Sequence, residues 1–312
     1  MKIVRSGLRL LSPFGSRARL SVLIFHRVLP QPDPLFPDEM YAERFDRICG
    51  WLKTWFNVMP LDVAAHHLRY GSLPERACCI TFDDGYADNL EIATPILQRH
   101  GLTSTFFIAT GFLDGGRMWN DTLIETIRHC RAESLALEGL GQFALGSITE
   151  RRQALHTLIG KIKYLPLEQR RNVTEQIASA ACVEPAKNLM LGADGVRALR
   201  MAGMQIGAHT VTHPILARLT TDEAREEMRE SQRFLQDLLQ ERVGLFAYPN
   251  GKPGTDYLPE HVVLARELGF DAAVSTAWGA ADSRTDSFQI PRFTPWDQSR
   301  AAFGMRMIRN LI

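Results

Sequence analysis

The chain has 312 residues, of which 45% are hydrophobic and 23% are charged, as in ordinary soluble globular proteins. Its 36 basic and 35 acidic residues leave a net charge of +1, which argues against a nucleic-acid-binding protein with its surplus of cations. The five cysteines are an odd number without a C-x2-C pair, which excludes a disulfide scaffold. No segment reaches the roughly 18 to 20 apolar residues of a membrane span.

Residues 1–19 form a basic arm, with one lysine and four arginines between short apolar runs. They lack the pattern of a secretory signal peptide, a basic start followed by about 7 to 15 apolar residues. Two interpretations stay open for the arm: a frayed, solvated terminus, or peripheral contact with an anionic membrane surface. We expect a cytoplasmic protein, with that membrane contact as the open alternative.

From residue 20 onwards, short apolar runs alternate with helical stretches. Three further runs each follow a helix and a glycine, the residue that commonly ends a helix in the left-handed conformation. This alternation predicts parallel strands with helical crossovers in one α/β domain over residues 20–312. The predicted strands are 20–25, 77–82, those after Gly101, Gly203 and Gly269, and 243–248, with 287–290 as a candidate seventh.

The repeat is interrupted between about residues 112 and 195, where helical periodicity and many charges replace the apolar runs. We interpret this stretch as a helical insertion within the same domain. Its two histidines, His129 and His156, lie on amphipathic helices and are expected to be solvated.

Polar residues follow four of the predicted strands, and in a parallel barrel the carboxyl ends of all strands lie on one face. Two adjacent carboxylates after the run CCITF cost free energy unless both are solvated or one is held ionised by a cation. Both interpretations of this pair stay open from the residues alone. The residues concerned are His26, Asp83 and Asp84, His209 and His213, and Tyr248, Pro249, Asn250 and Gly251.

His209 and His213 have an H-x3-H spacing, which on a helix places both rings on one face. Pro214 disfavours helix at His213, so we expect a turn-like loop that aims both rings at one point. With one aspartate they make three ligands and leave a position for water, as in catalytic zinc sites. Zinc is the first choice for such a site, and cobalt, nickel or iron fit the same ligands.

The motifs TFDDG at 81–85, HTVTH at 209–213 and YPNG at 248–251 resemble, in order and spacing, the first three motifs of the polysaccharide deacetylases. These are carbohydrate esterases related to the NodB chitooligosaccharide deacetylases. The segment FHRV at 25–28 is similar to the branch with exopolysaccharide and poly-N-acetylglucosamine deacetylases. Over residues 20–295, apart from the insertion, the resemblance implies a distorted (β/α)7 barrel of parallel strands. It also implies metal-dependent removal of acetyl groups, most often N-acetyl, from a glycan.

By the same resemblance, Asp83 is expected to be the general base, and Asp84, His209 and His213 the metal ligands. A backbone N–H near Tyr248 is expected to stabilise the oxyanion. The whole third motif is expected to contact the substrate, namely Tyr248, Pro249, Asn250 and Gly251.

The sequence departs from the family pattern in three ways, one of which is that it shows no secretion signal although many relatives act outside the cytoplasm. Ala247 stands where the third motif usually begins with an arginine, and we expect Arg292 to replace it, with Asp271 or Asp286 assisting. The late histidine that serves as general acid is missing, so His26 is the candidate proton donor, with a structural role as its alternative.

Three tryptophans, Trp119, Trp278 and Trp296, are candidates for stacking on sugar rings, and each is equally compatible with the core. The expected partner is an N-acetylated glycan, with no nucleic acid, and the oligomeric state is not predicted. Two rival functions stay open. One is a catalytically silent carbohydrate-binding relative, and the other is a metal-independent glycosidase that uses Asp83 and another carboxylate.

Overall fold

A computed structural model describes residues 2–312 of the chain. It divides into two compact units. The first comprises residues 2–31, 40–113 and 191–312, and the second comprises residues 32–39 and 114–190. The predicted division into an arm and one domain stays a prediction.

The first stretch of the first unit alternates helices with parallel strands. Its second helix buries the stripe Phe45, Ile48, Cys49 and Leu52, the spacing of an amphipathic helix. A left-handed Gly101 ends its fourth helix, as the sequence predicts. The elements are α1 (Lys2–Leu11), β1 (Leu20–Phe25), α2 (Ala42–Trp55), β2 (Asn57–Val58), α3 (Leu61–Arg69), β3 (Ala77–Phe82), α4 (Thr94–His100) and β4 (Thr105–Ile108).

The second unit has its own hydrophobic core, which includes Leu123, Leu155 and Leu158. A two-stranded antiparallel sheet belongs to it, and Leu135 and Leu137 on its first strand alternate with exposed residues. The stretch predicted as purely helical therefore also contains a β-hairpin. Its elements are α5 (Trp119–His129), β5 (Ser134–Leu137), β6 (Gly141–Ala144), α6 (Ile148–Ile162) and α7 (Leu167–Ala180).

The chain then returns to the first unit and completes its sheet. The helix after β7 begins with a capping box, in which Thr220 and Glu223 satisfy each other's backbone N–H groups. The elements are α8 (Ala193–Met201), β7 (Gln205–Ala208), α9 (Thr221–Leu239), β8 (Leu245–Ala247), α10 (Pro259–Glu267), β9 (Ala272–Val274) and α11 (Arg300–Asn310).

The main sheet has seven strands in the order β1-β3-β4-β7-β8-β9, with β2 paired to the start of β3, and all its pairs are parallel. The predicted parallel α/β fold is thus confirmed. The candidate strand 287–290 is not one: the seventh strand is β2. Instead, single parallel bridges from Val274 to Ile290 and from Leu23 to Phe293 connect β9 to β1.

The core of the first unit contains a group of phenylalanines from β1, α2, β3 and β4. The Phe82 ring stacks on Phe106 at 4.8 Å and on Phe25 at 5.3 Å between centroids. Phe45 meets Phe25 edge-on at 5.2 Å. Truncating any of them to alanine is expected to cost about 3 to 5 kcal/mol of folding free energy. This packing fixes β1 and β3, whose last residues precede the candidate site.

The basic arm is partly helical in the described residues. Leu8 of α1 is fully buried, and α1 packs against α11. A frayed terminus is therefore wrong for residues 2–11, while Met1 lies outside the described residues. Among residues 2–312, no helix has both the length and the apolar character needed to cross a bilayer.

Candidate active site

Two parallel strands deliver the polar motifs to the same edge of the sheet. Asp83 and Asp84 follow β3, and His209 follows β7. The Nε2 atoms of His209 and His213 each lie 3.5 Å from Oδ1 of Asp84. One ligand atom from each of the three residues lies within 4.8 Å of the others. The structure therefore brings together the three residues predicted as metal ligands.

The carboxylate of Asp84 indicates which kind of ligand these three residues fit. Its Oδ1 atom is buried and has no hydrogen-bond partner among the described residues. The 3.5 Å separations to the two imidazoles are too long for good hydrogen bonds. A buried carboxylate oxygen without a partner is costly. Two imidazole nitrogens and one carboxylate oxygen are the donors that zinc-like cations accept, so the residues present fit a divalent metal.

The backbone of the next strand orients His209. Its Nδ1 lies 2.7 Å from the carbonyl oxygen of Ala247, and since a carbonyl only accepts, Nδ1–H is the donor. The ring nitrogen Nε2 of His209 is then the one that faces Asp84. Histidine ligands in metal sites are commonly held in this way.

Burial and charge set the protonation of the three candidate ligands. Burial lowers the pKa of His213 to about 4, so this ring is neutral at pH 7 and can donate a lone pair. Burial also opposes charge on Asp84 and His209. Their mutual attraction nevertheless lowers the pKa of Asp84 and, with help from Asp83, raises that of His209.

The second carboxylate, Asp83, has a different partner. The guanidinium of Arg292 donates to both of its oxygens, each at 2.7 Å, and both side chains are buried. Arg292 also donates to the carbonyl oxygen of Ser275 at 3.0 Å and to the hydroxyl of Thr81 at 3.1 Å. Burial alone would raise the pKa of Asp83, but Arg292 outweighs it and the pKa is lowered. Asp83 therefore stays ionised.

Arg292 thus lies beside Asp83, as expected for the arginine that replaces the one missing at Ala247. The other two helpers do not: Asp271 pairs with Arg242, and Asp286 pairs with Arg266, 2.5 Å apart. Neither is among the contacts of Asp83. Arg292 lies in the irregular segment that bridges β9 to β1. No local sequence motif therefore predicts its position beside Asp83.

Left-handed backbone conformations concentrate at the candidate site. Four non-glycine residues have positive φ there: Asp84 at 77°, Thr210 at 64°, His213 at 51° and Asn250 at 57°. For the β-branched Thr210 this is a genuine outlier. Each such residue costs of order 1 to 3 kcal/mol and persists only where its surroundings hold it.

Glu227 of α9 holds the loop between the two histidines and was not among the predicted site residues. Its carboxylate accepts from the backbone N–H groups of Val211 and Thr212, each at 2.8 Å, and from the Thr212 hydroxyl at 2.6 Å. Its neighbours on this charged helix, Glu226 and Glu230, pair with Arg229. No sequence signal separates Glu227 from them.

His26 follows β1 as Asp83 follows β3, and Phe25 pairs with Phe82 in the sheet. Its side chain is exposed, and it lies close enough to contribute to the lowered pKa of Asp83. Asn89 donates to the carbonyl oxygen of His26 at 2.8 Å. Asp88 accepts from Arg27 at 2.8 Å and from the N–H of Val28 at 3.1 Å. The backbone around His26 is therefore tied to the loop after β3.

The third motif contributes less side chain than expected. Tyr248 is fully buried, stacks on Tyr257 and donates its hydroxyl to the carbonyl oxygen of Phe288. Its ring therefore belongs to the core, and the expected substrate contact by this side chain is wrong. Its backbone N–H donates to the carbonyl oxygen of Val274 at 3.2 Å.

The rest of the motif differs. Pro249 has no N–H, and the N–H of Gly251 donates to the carbonyl oxygen of Pro249 at 2.6 Å. Pro249 and Gly251 are buried, while Asn250 is half-buried. Asn250 is therefore the remaining candidate for a backbone donor in this loop.

The tryptophans fall into different settings. Trp278 is 53% exposed and packs beside Phe293, whereas Trp296 is 60% exposed. Trp119 begins α5 in the second unit, where the guanidinium of Arg170 lies 5.0 Å from its ring. Trp278 and Trp296 thus keep an accessible face, and a sugar contact by any of the three stays a prediction.

Comparisons with known proteins show which family the sequence matches. The sequence model of the family described as "Polysaccharide deacetylase" matches residues 70–273. A Bacillus subtilis (strain 168) protein named "Putative polysaccharide deacetylase YxkH" is 20% identical over 277 residues, which cover 88% of this chain and 71% of that protein.

Solved structures show the same fold. IcaB from Ammonifex degensii superposes with a TM-score of 0.61 at 17% identity, covering 96% of this chain and 99% of that one. The Streptococcus pyogenes deacetylase PplD in complex with acetate gives a TM-score of 0.59 at 18% identity, covering 89% and 92%. At these identities the likeness concerns the fold.

Proposed function

Because the chain belongs to the polysaccharide deacetylase family, we propose that it is a metal-dependent hydrolase that removes acetyl groups from a polysaccharide or glycan intermediate. N-acetyl groups are the first choice of substrate. One observation carries the proposal: Asp84, His209 and His213 converge within 4.8 Å next to a second carboxylate, Asp83, which a buried arginine keeps ionised.

Asp84, His209 and His213 would hold the metal. A divalent cation bound there supplies a Lewis acid for the acetyl carbonyl and for a nucleophilic water. Zinc is the first choice for this donor set, and Co²⁺, Ni²⁺ or Fe²⁺ have suitable preferences as well.

Asp83 would act as the general base. An ionised carboxylate has about four lone-pair sites, so the two bonds to Arg292 leave room to accept a proton from water. Arg292 fixes the carboxylate in one orientation, and a base must lie within roughly 2.6 to 3.2 Å of the proton's parent atom. The guanidinium thus does for Asp83 what the missing arginine of the third motif would do.

His26 would protonate the leaving amine. Its ring is exposed next to Asp83, and its backbone is held by Asn89, so it can approach a bound glycan without displacing the core. The N–H of Asn250 is the proposed donor to the developing oxyanion, in place of Tyr248, whose N–H is bonded in the sheet.

The proposal is tested by acetate release from N-acetylated oligosaccharides, with and without a chelator. We expect release that the chelator abolishes and that added Zn²⁺, Co²⁺ or Ni²⁺ restores. New reducing ends without acetate, insensitive to the chelator, would indicate a glycosidase instead. Sugar binding without acetate release under any metal would indicate a catalytically silent relative. Because Arg292 holds the proposed base Asp83 ionised and oriented, we expect acetate release instead.

The roles of the two aspartates are separated by replacing Asp83 with Asn. We expect hydrolysis to fall by about 100-fold or more, the typical contribution of a general base, while metal binding measured by titration calorimetry is retained. Asp222→Asn, on the exposed start of α9, is the matched control and should change neither. Retained turnover in Asp83→Asn would overturn its assignment as the base.

A further inference from the structure

The basic residues of the chain are unevenly distributed. Residues 1–19 and 300–312 contain eight of the 36 lysines and arginines and none of the 35 acidic residues. The rest of the chain therefore has 28 basic and 35 acidic side chains, a net charge of −7. Arg9 pairs with Glu75 and Arg306 with Asp297, so the other six cations of the two segments supply their positive charge.

These two segments meet in the folded chain. α1 packs on α11, with Leu8 fully buried, and a side chain added at Gly304 would lie 3.4 Å from Cγ1 of Val4. Arg19 donates to the carbonyl oxygen of Ile312 at 3.1 Å. Residues 4–19 and 300–312 therefore form one continuous surface, called here the α1/α11 surface.

Large apolar side chains are exposed on the same surface. Leu10 is 82% exposed, Phe14 73% and Met305 66%. Leu10 lines a shallow depression together with three arginines and one carboxylate, namely Arg17, Arg19, Arg284 and Asp282. Exposed apolar side chains among cations form the pattern of helices that lie in the headgroup region of a membrane.

We propose that the α1/α11 surface docks onto anionic lipid headgroups, with Leu10 and Phe14 entering the interface and the surrounding arginines contacting the headgroups. A nucleic acid would be attracted by the same charge, but it would not bury the exposed side chains of Leu10, Phe14 and Met305 as a lipid interface would. The net charge of −7 on the rest of the chain weakens its attraction to an anionic surface, which favours approach by the α1/α11 surface.

Docking there leaves the candidate active site accessible. Residues 12–19 lead into the amino-terminal end of β1, whereas His26 and the aspartates follow the carboxyl ends of β1 and β3. A six-residue strand separates these ends by about 20 Å. Hydrolysis of a soluble substrate should therefore not depend on the α1/α11 surface.

The test is flotation of the full chain with phosphatidylcholine vesicles, with and without phosphatidylglycerol. We expect binding only to the vesicles with phosphatidylglycerol, and weaker binding as salt is raised. Arg17→Glu with Arg309→Glu should weaken it by at least roughly 30-fold, since each cation near the surface contributes a factor of about 5. Leu10→Ser with Phe14→Ser should weaken it without changing the charge.

Arg131→Glu with Arg171→Glu is the matched control, because it reverses two exposed arginines of the second unit. We expect it to bind as the unchanged chain does, and all variants to keep their circular dichroism spectrum. Equal binding to neutral vesicles, or equal loss in the control, would overturn the proposal. So would absence of vesicle binding together with binding to a DNA duplex that Leu10→Ser/Phe14→Ser leaves intact.

Discussion

Replacing Arg292 with Met removes the cation from the buried pair while keeping much of the side-chain volume. Asp83 is then left buried without its guanidinium partner, and the bonds from Arg292 to Ser275 and Thr81 are also lost. Removing one partner of a buried ion pair costs about 3 to 5 kcal/mol. We expect a loss of that size in the free energy of unfolding, measured by urea denaturation of the metal-free protein at pH 7.

The Arg292→Met substitution should also reverse the way in which Asp83 makes stability depend on pH. In the unchanged chain the pKa of Asp83 is lowered, so its ionisation stabilises the fold above the unfolded pKa, and this stability is lost as pH falls through the folded pKa. In Arg292→Met the burial of Asp83 remains and only His209 and His26 oppose it, so we expect the pKa of Asp83 to rise and its contribution to stability to decrease as pH rises from about 4.

Asp83→Asn combined with Arg292→Met is the control, because it removes the titrating group. The double variant should recover part of the lost stability and lose the inverted pH slope. A single variant as stable as the unchanged chain, with the same slope, would refute the view that Arg292 compensates a buried charge.

Three further predictions concern individual side chains. Glu227→Gln should weaken Zn²⁺ binding by about 10- to 100-fold, because its carboxylate holds the loop between the histidines, while Glu226→Gln should not; equal calorimetric affinities would contradict this. His213→Ala should abolish both metal binding and acetate release, and an unchanged metal stoichiometry would count against the three-ligand site. Tyr248→Phe should cost about 0.5 to 1.5 kcal/mol of stability with an unchanged KM, and a raised KM at full stability would return this side chain to the substrate.

Much of the fold could be predicted from local pattern. The runs 20–25 and 77–82 are β1 and β3 to the residue, and Gly101, Gly203 and Gly269 all have the predicted positive φ. Both features depend on neighbours a few positions away, which a sequence shows directly. The parallel topology follows from the alternation of helices and strands, and it brings the ends of β3 and β7 to one edge.

The contacts that complete the candidate site depend on the tertiary structure alone. Arg292 reaches Asp83 across 209 positions of sequence because an irregular segment lies between β9 and β1, and no periodicity encodes that placement. Glu227 differs from its helical neighbours only in facing a loop from another element. The family resemblance predicted a substrate contact for the Tyr248 side chain, whereas packing against Tyr257 places its ring in the core. Residue types and spacing determined which groups gather at the sheet edge, whereas packing between distant segments decided what each group contacts there.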